Sequence, residues 1–308
     1  MNPPAPASIT VVVPAYQAEG FLARALDSVL AQSDPDWTLV VVDDGSSDGT
    51  LALARTYAAR DPTRIHVLTQ ANAGPGAARN RGMAAATGEQ VLFLDADDAL
   101  MRETLAVLRA DLRAHGPVDL LFGGHAVVRL DGSRKVHRPD ARWGGTPQAD
   151  FRRFLRGDGV GPTHGAVLMR RSLARRLGYP ESIRNNEDVV LFAQMLALGR
   201  TRALPHVLAV KYRQPASLRH DVDALCRASE RVAALLFDPA RLPPAFLAVR
   251  GAFEADRQLA CFRALSRAGR EREARAHFRA ALRLAPSAAL RPGTLFRYLR
   301  SCVRGGRA

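Results

Sequence analysis

Two short apolar runs in this sequence stop abruptly in clusters of carboxylates. The first run, residues 40–42, leads into Asp43 and Asp44, and the second, residues 91–94, leads into the Asp-Ala-Asp-Asp of residues 95–98. Continuous apolar runs of this length are typical of strands that a parallel sheet buries on both faces. Ligands of open α/β sheets bind outside the carboxyl ends of the strands. Both acidic clusters are therefore expected at one crevice, which is the predicted active site.

The first third of the chain alternates β-branched runs with Ala/Leu-rich segments of helical period. Strands that alternate with helices of this length predict βαβ units and a mainly parallel sheet. The predicted strands cover residues 9–13, 38–42, 65–68 and 90–94, and the predicted helices cover residues 21–32, 50–60 and 76–86.

Beyond residue 100 the pattern is mixed. It predicts a helix over residues 102–114, a strand over 120–128, a hairpin-like turn at 130–133 and a loose Gly/Pro-rich stretch over 139–162. After residue 212 the chain consists almost entirely of helix-forming Ala, Leu and Arg, interrupted by prolines. We therefore predict three parts: a disordered N-terminus (1–7), an α/β domain (8–220) and a basic helical C-terminal region (221–308).

The charge of the chain is concentrated near its C-terminus. The net charge is +14, and residues 221–308 hold 17 Arg against 8 Asp and Glu, or +9. Such a balance indicates nucleic acid, an anionic membrane surface or merely solvated arginines. Aromatic residues make up only 6% of the chain and no nucleic-acid motif is recognisable, so we expect no nucleic-acid partner and favour a membrane surface.

Location is predicted from what the sequence does not contain. The first residues show no signal-peptide pattern, and nowhere do 18 apolar residues run unbroken. The three cysteines are not spaced as metal ligands, so we interpret them as reduced thiols. We expect a cytoplasmic protein with peripheral contact to the inner face of the cell membrane through its basic C-terminal region.

With residues 11–16 (Val-Val-Val-Pro-Ala-Tyr), the two acidic strand ends resemble the family 2 glycosyltransferases of the GT-A fold. Members of this family transfer a sugar from a nucleotide diphosphate sugar. The resemblance spans about residues 8 to 220 and implies a Rossmann-like mixed, mainly parallel sheet flanked by helices, here with a helical C-terminal appendage. It also implies an inverting glycosyltransferase of glycan or polysaccharide biosynthesis, with a nucleotide diphosphate sugar as donor and a glycan or lipid-linked acceptor.

The resemblance implies a nucleotide pocket at the ends of the first two strands. Pro14, Ala15, Tyr16 and Asp44 match the base and ribose pocket of the family. Asp44 can accept the uracil N–H and the Tyr16 ring can stack on the base, which favours a UDP-linked donor. The structural alternative is that the Asp43-Asp44 segment is a polar turn that caps the next helix.

Further donor contacts are implied by two other segments. Residues 72–82 resemble the family's Gly-rich turn into a helix, in which Asn72 and Arg79 would contact the nucleotide sugar. The planar charge of Arg79 can face the nucleotide or its phosphates. Arg213 matches a family segment that closes over the diphosphate, and His220 is a weaker candidate for an added metal ligand.

The second acidic cluster matches the Asp-x-Asp motif by which the family holds a divalent ion against the diphosphate. Mn²⁺ and Mg²⁺ take oxygen ligands, and one or two carboxylates plus substrate phosphates suffice. By resemblance, Asp97 is the direct metal ligand, while Asp95 lies nearer the sugar or ribose and shares the metal site.

Asn185-Asn186-Glu187-Asp188 resembles the Glu-Asp motif at the start of the helix behind the acceptor. In that motif the Asp is the general base of an inverting displacement, so Asp188 is the implied base and Glu187 a supporting residue. Carboxylates at a helix N-terminus are also commonly caps. We expect His125 and His164 to be structural.

Two alternative functions stay open. A sugar nucleotidyltransferase would also use a nucleotide pocket and Mg²⁺, but it predicts a Gly-rich loop with Arg or Lys directly after the first strand, where this chain has Pro14-Ala15-Tyr16. A catalytically silent, sugar-nucleotide-binding scaffold protein would not need Asp44, Asp97 and Asp188 together.

Overall fold

The computed structural model describes residues 8–213, 222–290 and 292–304. The chain divides into two compact units between residues 215 and 216. The N-terminus that we predicted to be disordered, residues 1–7, and the metal-ligand candidate His220 lie outside the described residues.

The first unit is a nine-stranded sheet with helices on both faces. Its strand order is β3-β2-β1-β4-β8-β6-β9-β5, with β7 paired to β6. The strands are β1 (Ile9–Ala15), β2 (Trp37–Asp43), β3 (Ile65–Thr69), β4 (Gln90–Phe93), β5 (Ala99–Leu100), β6 (Leu120–Val128), β7 (Arg134–His137), β8 (Val167–Arg170) and β9 (Thr201–Tyr212). The helices are α1 (Leu22–Leu30), α2 (Thr50–Arg60), α3 (Pro75–Ala85), α4 (Thr104–His115), α5 (Pro147–Arg156), α6 (Arg171–Leu177) and α7 (Glu187–Leu198).

The direction of the strands changes at β8. β3, β2, β1 and β4 pair in parallel, whereas β8 runs antiparallel to both β4 and β6. β6 and β9 again pair in parallel. The sheet is therefore the predicted mixed sheet, with its parallel half first and both carboxylate clusters at one edge.

The apolar runs are continuous because both faces of the sheet are covered. In β1, Val11 and Val13 join one core cluster with α1, and Val12 joins the other with α3. None of these three valines is exposed to solvent. Alternate side chains thus enter opposite cores, as expected of a strand buried on both faces.

The stretch over residues 139–162, which we predicted to be loose, contains a helix. α5 begins after Thr146, whose hydroxyl accepts a hydrogen bond from the Ala149 N–H (3.2 Å). Phe151 is its deeply buried residue, and Asp150 accepts a bond from the Gly144 N–H (3.1 Å). Flanking Gly and Pro residues and a helix with four charged residues in ten concealed this element in the sequence.

The second unit is entirely helical in its described part. Its helices are α8 (Val222–Leu236), α9 (Pro244–Leu247), α10 (Arg250–Arg267), α11 (Glu271–Leu284), α12 (Pro286–Ala289) and α13 (Pro292–Arg304). Phe262 and Phe278 lie in its core, and the Phe278 ring stacks on Tyr298 of α13 with centroids 4.0 Å apart. No helix in the described parts of the chain is both long and apolar enough to cross a membrane.

Candidate active site

Asp44 lies directly after β2 and organises the loop that follows β3. Its Oδ1 accepts hydrogen bonds from Gln70 Nε2 (2.7 Å) and the Ala73 N–H (2.9 Å), and its Oδ2 accepts one from the Gly74 N–H (2.8 Å). Asp44 is only 3% exposed. A carboxylate offers about four lone-pair positions, so these three bonds leave one uncommitted. The structure therefore assigns Asp44 a loop-holding role that the sequence did not indicate.

The end of β1 stands beside Asp44. The Asp44 N–H donates to the Ala15 carbonyl (2.8 Å), and the next side chain, Tyr16, is 55% exposed. Gln17 adopts a left-handed backbone (φ 50°), and its side chain accepts from the Ser47 N–H (2.7 Å). Non-glycine residues in this region cost free energy and are concentrated at functional sites. An exposed aromatic ring next to a partly filled carboxylate is suited to stacking on a nucleobase.

Arg79 of α3 is buried between two carboxylates. Its Nη2 donates to Asp95 Oδ1 (2.8 Å) and its Nη1 to Glu187 Oε1 (2.7 Å). Burial opposes the charge on Arg79, but Asp95 and Glu187 outweigh burial and raise its pKa. Arg79 thus joins the loop after β4 to the start of α7. The contact of Arg79 with the nucleotide or its phosphates, which the resemblance implied, stays a prediction.

Lys211 and His164 complete the surroundings of Asp95. Lys211 Nζ lies 3.8 Å from Asp95 and 3.3 Å from Asp98. His164 Nδ1 lies 3.6 Å from Asp95, and its Nε2 is 2.9 Å from the Tyr179 hydroxyl. Burial and the charge of Arg79 lower the pKa of His164 well below its usual range, so this ring is neutral at physiological pH.

Permanent cations therefore surround the Asp95 carboxylate. Burial alone would raise the pKa of Asp95, but the neighbouring ring of His164 and the charges of Arg79 and Lys211 prevail and hold it well below its usual range. For Lys211 the reverse applies: burial would lower its pKa, and Asp95 and Asp98 raise it. Asp95 is consequently ionised and held in place at the edge of the cleft.

Of the carboxylates in the acidic loop after β4, that of Asp97 remains available to a ligand. No other described side chain donates a hydrogen bond to it, and burial together with the neighbouring charge of Asp95 raises its pKa. Within the described residues, no three His, Cys, Asp or Glu side chains converge as a self-sufficient metal cage. Mg²⁺ and similar ions are held by one or two carboxylates plus substrate phosphates, so the acidic loop fits such an ion.

Glu187 and Asp188 form the first turn of α7. Asn186 precedes them with a left-handed backbone (φ 63°), which turns the chain into the helix. Glu187 is buried; burial and the Asp188 charge raise its pKa, although Arg79 opposes this. Asp188 is half-buried, and its Oδ1 accepts from the Val189 N–H (2.8 Å). The Arg79 bridge places this turn beside the acidic loop.

Two predicted donor contacts lie at the margin of this network. Asn72 is exposed, and its amide donates to the Asp44 carbonyl (3.1 Å). Arg213 is exposed at the end of β9, with its backbone N–H bonded to the Val128 carbonyl (3.0 Å).

Lys211 was not identified from the sequence, and His164 was predicted to have only a structural role. A lysine near the end of a strand that is otherwise mostly apolar was the available signal for Lys211. No local pattern indicates the contact of His164 with Asp95, because the two residues come from separate segments.

Comparisons with known proteins identify the family of this chain. A model of the family described as glycosyl transferase family 2 matches residues 10–178, more than half of the chain. The chain is 35% identical over 212 residues to the succinoglycan biosynthesis protein ExoO of Rhizobium meliloti, covering 65% of this chain and 59% of ExoO. It is 34% identical over 170 residues to a PGL/p-HBAD biosynthesis glycosyltransferase of Mycobacterium bovis, covering 55% of this chain and 61% of that protein. These matches thus span less than two thirds of either relative.

Solved structures show the same fold at low sequence identity. TarS of S. aureus, solved with UDP, superimposes with a TM-score of 0.65 at 21% identity, covering 96% of this chain and 88% of TarS. The mannosyltransferase PcManGT of Pyrobaculum calidifontis, solved with GDP-Man and Mn²⁺, gives a TM-score of 0.56 at 24% identity, covering 98% and 86%. The predicted GT-A fold is confirmed.

Because the family model matches residues 10–178, more than half of the sequence, this chain belongs to the family 2 glycosyltransferases.

Proposed function

We propose that the protein is an inverting glycosyltransferase that moves a sugar from a nucleotide diphosphate sugar, UDP-linked, to a hydroxyl group of a glycan or lipid-linked acceptor. The observation that carries the proposal is the Arg79 bridge between Asp95 (2.8 Å) and Glu187 (2.7 Å). It joins the loop that would meet the diphosphate to the turn that carries Asp188. A donor site and a base on opposite sides of one cleft are what a single displacement requires.

In this mechanism the nucleotide lies at the ends of β1 and β2. Tyr16 stacks on the base, and the free position of Asp44 accepts its N–H. Asp188 accepts the proton of the acceptor hydroxyl, whose oxygen attacks the anomeric carbon from the face opposite the departing diphosphate. Glu187, fixed by Arg79, orients the turn that carries Asp188. The product then has the anomeric configuration opposite to that of the donor.

We propose Asp97, with Asp95 beside it, as the ligands of a divalent ion. When bound, Mn²⁺ or Mg²⁺ supplies positive charge that stabilises the leaving diphosphate. PcManGT, a structural neighbour, was solved with Mn²⁺. The available carboxylate of Asp97 supports this assignment, whereas Asp95 is already engaged by Arg79 and Lys211.

The metal assignment is tested by binding rather than turnover. Calorimetry should show that Asp97→Asn abolishes the Mn²⁺-dependent part of UDP affinity while thermal unfolding stays unchanged. The matched control is Asp131→Asn, which removes an exposed carboxylate from a turn elsewhere in the unit. Unchanged Mn²⁺-dependent affinity in Asp97→Asn would contradict the assignment. In the same assay UDP should bind more tightly than GDP, because Asp44 suits the uracil N–H.

We also propose that α13 brings the protein to an anionic membrane surface where a lipid-linked acceptor resides. Leu295 and Tyr298 of α13 pack on the core of the second unit, whereas Phe296 is 69% and Leu299 55% exposed. Arg297 and Arg300 line a cavity of about 370 Å³ beside them with Arg267. Exposed apolar side chains next to arginines are typical of helices that lie on anionic bilayers.

A further inference from the structure

One end of the sheet carries basic residues, most of which the proposed mechanism leaves unused. Leu92 of β4 and Leu121 of β6 pair with the same residue of β8, Leu168. β4 ends one residue after Leu92, whereas β6 continues to Val128. Past its pairing with β8, β6 pairs with β7 instead. The ends of β6, β7 and β9 therefore extend past β4, beside the cleft and on the side away from β2 and its nucleotide pocket.

Strand register gathers the basic residues on one face of these ends. His125 of β6 is paired with His137 of β7, and Val127 of β6 with both Lys135 of β7 and Lys211 of β9. Paired residues, and residues two apart in one strand, project to the same face of a sheet. We call the surface formed by these four basic residues the basic face: His125, Lys135, His137 and Lys211.

Measured contacts agree with this register. The rings of His125 and His137 stack with centroids 5.1 Å apart and planes 17° apart. Lys211 Nζ lies 3.8 Å from Asp95, which connects the basic face to the acidic loop of the cleft. Lys135 is exposed and His137 half-exposed, so solutes can reach both.

The basic face has unsatisfied hydrogen-bonding capacity as well as charge. Nδ1 of His125 is buried and has no hydrogen-bond partner among the described residues. Burial, and then the positive charges of Lys211, His137 and Arg213, lower the pKa of His125 to about 4. Lys211 is already paired with Asp95 and Asp98, but Lys135 has no acidic partner among the described residues, and its uncompensated charge favours the binding of an anion there.

We propose that the basic face is an acceptor subsite that binds an anionic group, a phosphate or a carboxylate, carried by the acceptor. The proposal rests on the proposed function, because only a transferase has an acceptor to position here. A point charge such as Lys135 and N–H donors such as His137 suit either anion. The donor does not need these two residues, since its base lies at β2 and its diphosphate at the acidic loop.

The test compares two faces of the same strand. The double variant Lys135→Gln/His137→Gln removes the outer part of the basic face. The control, Arg134→Gln, removes a charge from the neighbouring residue of β7, which projects to the opposite face and contacts Met101. UDP with Mn²⁺ fills the donor site, and glycerol 3-phosphate, glucuronate or glucose is then titrated while NMR records the imidazole signals of His125 and His137.

Glycerol 3-phosphate, glucuronate or both should shift these imidazole signals. The probe that causes the larger shift identifies the anion. Glucose should leave the signals unchanged. The dissociation constant of the active probe, read in the double variant from the His125 signal, should rise about fivefold or more, and Arg134→Gln should leave it unchanged.

Three results would overturn the proposal: no response to either anion, an equal response to glucose, or wild-type affinity in the double variant. Displacement of the anion by UDP would overturn it too, because the basic face would then belong to the donor diphosphate. Calorimetry of UDP binding to the unmodified protein separates a failure of the acceptor-subsite proposal from a failure of the proposed function. Absence of UDP binding counts against the proposed function, whatever the anion probes do.

Discussion

Among single residues, Asp188 is the one whose replacement separates binding from turnover. Asp188→Asn should keep UDP and Mn²⁺ affinity, because those contacts lie on Tyr16, Asp44 and Asp97, and should lower the transfer rate by roughly 10²- to 10⁴-fold. Asp188 lies in the first turn of α7, after the N-cap Asn186. Asparagine keeps an acceptor for the Val189 N–H and loses only the favourable charge near the helix N-terminus, so the free energy of unfolding should change by about 1 kcal/mol or less. Transfer and UDP binding are measured on the same preparation.

Near-normal turnover in Asp188→Asn would leave Asp188 only as a stabilising charge in the first turn of α7. The stereochemistry of the product gives an independent check. NMR of the anomeric proton should report inversion, and retention would exclude a single displacement even if Asp188 proved essential.

The side chain of His125 leads to a prediction about how the stability of the protein depends on pH. Its pKa falls from 6.5 to about 4 in the folded protein, through burial and then Lys211, His137 and Arg213. Between these two values the unfolded chain binds the proton more readily than the folded one, so stability decreases as the pH falls from 6.5 to about 4. Urea unfolding of His125→Gln should show a smaller loss over this range.

The control for this experiment is His66→Gln, which replaces an exposed histidine of β3. It should leave the pH dependence of stability as in the unmodified protein. Equal slopes in His125→Gln and the unmodified protein would show that another group carries the acid sensitivity.

The site could be predicted from sequence only as far as its motifs are local. The two acidic clusters are contiguous and show directly in the sequence, and the Glu-Asp turn is a contiguous motif that the family resemblance indicated. The partners of Arg79 could not be read in this way, because Glu187 lies 108 positions further along the chain. Nor could the three bonds to Asp44, since their donors belong to a loop whose path depends on the packing of α3.

Among the elements, α3 depends on a close approach to the sheet. A Cβ at Gly82 would overlap Val12 Cγ1 and lie 3.1 Å from Val42 Cγ2. Gly82→Ala should therefore move α3 away from β1 and β2 and destabilise the first unit by about 1–3 kcal/mol. Because α3 carries Arg79, UDP affinity or turnover should also fall, as denaturant unfolding and calorimetry would show.

The matched substitution is Gly20→Ala, where a Cβ would meet no atom within 4 Å. It should leave both stability and UDP binding near those of the unmodified protein. Equal stability of the two variants would mean that α3 can relax without cost, contrary to this close packing.

Helices and strands could be predicted from the sequence where one physical cause, such as burial on both faces, determines the residue pattern. Strands buried on both faces show as unbroken apolar runs, and β6 was predicted with the bounds that the structure has, Leu120–Val128. β8 is only four residues long, and β9 contains Pro205 and is partly exposed along its length. In such segments pairing with distant strands, rather than a local pattern, decides the conformation.

For the whole molecule, the uneven charge leads to a prediction about membranes. Residues 221–308 carry +9 of the net +14, and α13 exposes Phe296 and Leu299 beside arginines. Flotation with vesicles containing anionic lipid should recover the protein at low salt. Recovery should fall as salt rises, because surface attraction of about 1 kcal/mol per basic residue is screened within about 8 Å at physiological ionic strength.

Two double variants decide whether α13 or total charge causes the binding. Arg297→Gln/Arg300→Gln should lose most of the flotation, because the arginines beside the exposed apolar residues of α13 provide the attraction. Arg152→Gln/Arg156→Gln removes the same charge from exposed positions of α5 and should float as the unmodified protein does. Equal losses in both variants would mean that net charge alone acts, without a defined surface. Flotation that is absent, or insensitive to salt, would exclude the electrostatic contact, and the lipid-linked acceptor would then have to be reached in another way.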